Sequence, residues 1–293
     1  MTPDSSAASN QGRSLCRFYM LAFPQLVLIF LFCSQSSASS PNPSYIIQRS
    51  VEANQRDWAA APQFNYRERK VYDDGTRTYD ELMIEGSPYE RLVAVNGHPL
   101  DHDKEADEVR KLQETIAKRR KESPDERKRR VAKYEANRKR DHLLMEQLTK
   151  AFNFTFGGEQ TLDGRQVYVL HATPRPGYQP PNRDTTVLTG MNGTLWIDTE
   201  TYQWVKVEAH VVHPVSVAGF AARVEPGTEF QLEKMPVAPG IWLPKHFAMK
   251  AHARVLFFFH HHDSDDETYF DYTPITAQKP SGVTAVPNSQ PLK

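Results

Sequence analysis

The chain has 293 residues, 39% hydrophobic and 11% aromatic, enough for one large all-β domain or two ordinary ones. Its 36 basic and 36 acidic side chains cancel, so no global field draws it to nucleic acid. Both cysteines, Cys16 and Cys33, lie near the N-terminus, so beyond residue 38 there is no disulfide, thiol nucleophile or thiolate metal site to consider.

Arg13 and Arg17 precede an apolar run at 18–32, and the small-residue stretch CSQSSASS follows. This is the layout of a secretory leader cleaved after Ala38, with a retained anchor as the alternative. The run is shorter than the roughly 20 residues of a membrane span, and Pro24 interrupts it. Phe30 and Phe32 are too bulky to precede a lipid-modified Cys33. Residues 1–38 are therefore read as a signal peptide of a bacterial, periplasmic protein.

Residues 44–61 lack glycine and carry Tyr45, Ile46, Val51 and Trp58, which predicts a helix ended by Pro62. Two strands follow across Asp-Asp-Gly-Thr, and a third runs from Tyr89 to Asn96-Gly97. Residues 102–151 change character: they are dense in charge and without glycine. Ser123-Pro124-Asp125-Glu126 is a capping box, so this insertion reads as two helices, about 103–122 and 124–151, whose charged middle projects into water. From Phe152 the chain reads as strands with tight turns, including a hairpin at Asp163-Gly164. The long run LPKHFAMKAHARVLFFFHHH leads to a turn at Asp-Ser-Asp-Asp and a last strand. Residues 274–293 are rich in Pro, Ser, Thr and Ala and are read as a disordered tail. The organisation expected is thus one domain at 39–273, mainly β, with nine or ten antiparallel strands, a starting helix and a helical insertion.

Alternation assigns faces. Val205, Val207, Ala209 and Val211 share one side of their strand with Ile197 opposite, and Trp196 and Trp204 point the other way. Phe230 and Leu232, then Phe247, Met249, Val255, Phe257 and Phe259, repeat the pattern. Each strand has one apolar face. That fits a packed core, and it fits an unclosed sheet whose apolar concavity holds a ligand.

Motifs for chemistry are scarce. There is no nucleophile elbow, phosphate loop, dinucleotide fingerprint or H-E-x-x-H zinc motif. His260 and His262 share a strand face beside turn aspartates, which leaves a metal-dependent envelope hydrolase as the alternative function. No cofactor is called for. Residues 115–140 hold 12 Lys or Arg against 4 Asp or Glu. In an exported protein, Arg119, Arg120, Arg127, Arg129 and Arg130 point to anionic lipid headgroups or an acidic partner, or form a solvated face.

The segments GTLWIDTETYQWVKVEAHV (193–211), EPGTEFQLEKM (225–235) and GIWLPKHFAM (240–249) resemble strands of the periplasmic LolA-like and LolB-like lipoprotein-carrier superfamily. The resemblance implies a curved antiparallel sheet forming an unclosed β-barrel lidded by helices. It implies binding of a lipid or acylated protein on the apolar concave face, without turnover, by a carrier or a sensor. It also implies partners at the inner or outer membrane, and no nucleic acid. The longer, more basic insertion and the extra tail depart from the pattern.

Overall fold

The computed structural model describes residues 41–217, 222–255 and 259–275. The stretch read as a leader, 1–38, and almost all of that read as a tail, 274–293, lie outside the described residues. Helix α1 (Pro43–Ala60) starts where Asn42 accepts the backbone N–H of Ser44. Strands β1 (Phe64–Tyr72), β2 (Gly75–Ile84), β3 (Ser87–Val95) and the short β4 (His98–Pro99) follow. Next come α2 (His102–Arg120), capped by Asp101, and α3 (Pro124–Ala151), which has both halves of the Ser123–Glu126 capping box. The remaining strands are β5 (Phe152–Leu162), β6 (Arg165–Pro174), β7 (Met191–Asp198), β8 (Trp204–Val211), β9 (Val215–Ser216), β10 (Ala222–Val224), β11 (Glu229–Ala238), β12 (Ile241–Val255) and β13 (Phe259–Pro274). The hairpin between β5 and β6 turns on Asp163 (φ 50°) and Gly164 (φ 77°), a pair in the left-handed region that matches strand twist.

All the strands belong to one antiparallel sheet, in the order β4-β3-β2-β1-β13-β12-β11-β8-β7-β6-β5, with β10 pairing to β12 and β9 to β10 off this path. The sheet is not closed into a barrel, since β4 and β5 stand at opposite ends and do not pair. The helical insertion is the connection between those two ends. At 28 residues α3 is about 42 Å long. Its Val131 lies against Gly86 in the β2–β3 turn, and its last residue, Ala151, enters β5. No helix among the described residues is long and apolar enough to cross a membrane.

The inner face is the one that carries α1. Phe156, Leu170, Leu195, Val207, Leu232 and Phe247 stand side by side on it from β5 to β12. The same row then continues through Glu267, Lys70 and Arg77. A parallel row runs through Phe154, Ala172, Gly193, Ala209, Phe230 and Met249 to Asp265. One face therefore changes from apolar to charged at the β12–β13 boundary.

Two features differ from the expected pattern. Trp196 pairs with Lys206 and Ile197 with Trp204, so a bulge leaves Val205 out of the ladder. Trp204 therefore turns inward beside Ile197, while Val205 packs on the other side with Val167, Trp242 and Trp196. The Asp-rich stretch is also not a turn: Asp263–Asp266 lie within β13, paired with Ala251 to Ala248 of β12. That hairpin reverses between Val255 and Phe259, which pair with each other.

Candidate functional site

The apolar residues expected on the inner face divide into two groups. Ile197, Val207 and Val211 are buried. Ile197 and Val207 sit in a packed core with Ile46 and Ile47 of α1, Leu170, Leu195, Trp204 and Leu188. Ala209, Phe230, Leu232, Phe247 and Met249 continue the same rows but are only half-buried. The Phe230 and Phe247 rings meet edge to face, with centroids 5.4 Å apart. Val205 is buried on the opposite side. Val255 and Phe259 are placed by their backbone pairing, and Phe257 lies outside the described residues. The inner face is thus a dry core under α1 and an open apolar strip over β8, β11 and β12. Two surface cavities, of about 320 Å³ and 450 Å³, lie away from the strip.

A polar network fixes where the cover stops. Asp57 of α1 accepts from the backbone N–H of Trp242 at 2.9 Å and from Gln203 Nε2 at 3.0 Å, and it takes a further bond from Lys234 Nζ. Lys234 also donates to Asn54 Oδ1 at 2.8 Å, and Trp204 Nε1 donates to Ser50 Oγ. Asp57 is 2% exposed and Lys234 7%. Burial pulls the Lys234 ammonium below its ordinary range, against the attraction of Asp57. On the other flank of α1, the rings of Trp58 and His142 of α3 stack 4.5 Å apart, and Arg138 bonds to the Trp58 carbonyl. Sequence reading missed Asp57 and Lys234, because a lone Asp in a helix and a lone Lys in a strand carry no signal until the fold joins them.

The charged end of the inner face holds Glu68, Glu81 and Glu90, whose carboxylates lie within 4.8 Å of one another. Lys70 Nζ stands 3.1 Å from Glu68 and 2.7 Å from Glu90. Burial, and then the neighbouring Glu90, push the Glu81 carboxyl up to about 8. The Lys70 ammonium and the proton on Glu81 thus offset two of the three carboxylates. The backbones of His260 and His262 pair with Arg254 and His252; their side chains lie outside the described residues.

The basic insertion is only partly a solvated face. Arg119 donates to the carbonyls of Ile84, Ser87 and Pro88 at 2.7 to 2.9 Å. Arg130 reaches Ser87 Oγ, the Glu85 carbonyl and Glu122, and Arg127 pairs with Glu85 at 3.1 Å. Arg120 and Arg129 are exposed.

No protein-family model matches the chain, and no curated protein matches it. Its fold is similar to that of a putative outer membrane lipoprotein-sorting protein domain from Vibrio parahaemolyticus. The identity is 12%, covering 82% of this chain and 96% of that one, with a TM-score of 0.33. A DUF1329 family protein from Desulfovibrio piger matches over the same shares at 9% identity and a TM-score of 0.31. A LolA superfamily protein from Nitrosomonas europaea does so at 10% and 0.30. At such scores these likenesses carry no functional argument, which rests on this chain's own geometry.

Proposed function

We propose that this is an exported, non-enzymatic binding protein that holds the acyl part of a lipid or lipoprotein on its open apolar strip. One observation carries the reading: Ala209, Phe230, Leu232, Phe247 and Met249 extend the rows of a buried core yet are only partly buried. A contiguous, partly uncovered apolar surface on an inner sheet face has a driving force to be covered, about 0.8 kcal/mol for each buried CH₂ of a ligand. The strip offers dispersion and aromatic contact only, with no nucleophile among its side chains. The leader at 1–38 supports a periplasmic setting.

Protein purified without detergent and released in native mass spectrometry is expected to carry lipid. It is also expected to take up a fluorescent fatty-acid probe that added lipid displaces. Phe230→Asp with Met249→Asp places two charges on the strip and should weaken probe binding at least tenfold, about 1.4 kcal/mol. Neither lipid recovery nor displaceable probe in the wild-type chain would sink the reading.

A further inference from the structure

We propose that the tip of the α2–α3 hairpin docks on an anionic lipid surface. Two sets of basic side chains meet there. Arg119, Arg127 and Arg130 are spent on the β2–β3 turn, its Glu85 and the hairpin's own Glu122, which locks the tip to the sheet. Lys118, Arg120 and Lys121 at the end of α2, with Lys128, Arg129 and Lys133 at the start of α3, face solvent. Among the described residues none of these six side chains makes a hydrogen bond or an ion pair. The nearby acids do not cancel them: residues 118–133 hold nine Lys or Arg against Glu122, Asp125 and Glu126, and Glu122 is held by Arg130.

The chemistry of the tip selects the partner. Residues 118–133 contain no aromatic side chain, and their valine, Val131, is turned against Gly86. A specific protein interface needs buried aromatic or aliphatic anchors in pockets, and neither cavity reaches this tip. A surface held to the sheet and strongly cationic in net charge suits a flat field of phosphate headgroups instead. There each Lys or Arg contributes about fivefold in partitioning without needing a shaped partner. A lipid surface is also where the acyl-binding strip, if that reading holds, exchanges its ligand.

Sedimentation with vesicles tests this, using residues 40–293, the compact unit that holds the whole described core. Binding is expected to vesicles containing phosphatidylglycerol and not to phosphatidylcholine alone. It should vanish as salt shortens the screening length from about 10 Å to about 3 Å. The triple variant Arg120→Glu, Lys128→Glu, Arg129→Glu should lose on the order of 100-fold in partitioning, while its thermal unfolding and fatty-probe uptake stay unchanged. Equal binding by the variant, or no wild-type binding at low salt, overturns the proposal. Retention on polyglutamate without vesicle binding also overturns it and assigns the tip to an acidic protein. Vesicle binding that survives in a chain taking up no fatty probe supports the docking surface and removes only the acyl reading.

Discussion

Glu81 sits 5% exposed on β2 beside Glu68 and Glu90, and keeps its proton up to about pH 8 where an ordinary glutamate ionises near 4.5. Between those values the unfolded chain sheds a proton that the folded one retains. Stability therefore falls as pH rises through this window, by up to about 1.4 kcal/mol per unit. Glu81→Gln keeps the shape without the ionisable group. Its stability relative to wild type should rise steadily from about pH 5 to pH 8, read as urea midpoints, and a gap that stays flat with pH would remove the buried proton from the account. The other costly residue is Asp57. Asp57→Ala leaves Lys234 without a counter-charge and the Trp242 N–H unpaired, and weakens the hold on Gln203, so it should cost about 3–5 kcal/mol. Removing both charges together, Asp57→Asn with Lys234→Met, should recover most of that loss, because a buried pair is expensive mainly when broken. A double variant as unstable as Asp57→Ala would contradict this.

At the scale of elements, what the sequence made legible follows from which signals are local. Ser123–Glu126 marks its helix start because the bonds lie three residues apart, and the strands at 204–211, 229–238 and 241–255 announce themselves by alternation. The bulge at Val205 was not legible: one extra residue reverses the parity of everything before it, and its cause is pairing with a neighbouring strand. Asp-Ser-Asp-Asp reads as a turn by composition, yet its pairing with β12 keeps it in the ladder. The open strip was partly legible, since alternation finds Phe230, Leu232, Phe247 and Met249, but where α1 stops covering the face depends on Asp57 and Lys234. Arg119 looked like solvent-facing charge because its carbonyl partners lie 31 to 35 residues upstream. Arg119→Ala is expected to cost about 2–3 kcal/mol in urea unfolding, and Arg119→Lys should not restore it, because an ammonium cannot fork to three carbonyls. Arg120→Ala should stay within about 0.5 kcal/mol of wild type. Equal costs at the two positions would show that the hairpin is not clamped through Arg119.

Across the whole molecule, one sheet face is continuous from Phe156 to Phe247, and α1 covers only part of it. The covered part, with Ile197, Trp204 and Val207, has the same chemistry as the open strip. What separates core from binding surface is therefore the position of a helix held by a few polar bonds, chiefly those of Asp57. Because the sheet ends at β4 and β5 are joined only by the α2–α3 connection, the proposed acyl-binding reading implies that the face accepts a longer apolar ligand if α1 yields. Loosening α1 should then lengthen the binding surface. In the Asp57→Asn, Lys234→Met variant the helix keeps its apolar contacts and loses its ion pair, so a graded series of fatty acids should discriminate the two proteins. Wild type is expected to gain little affinity once the chain outgrows the strip, while the variant keeps gaining toward the limit of about 0.8 kcal/mol per added CH₂. The same plateau in both proteins would mean that α1 is permanent core, and that the site ends at Leu232 and Val207 whatever occupies it.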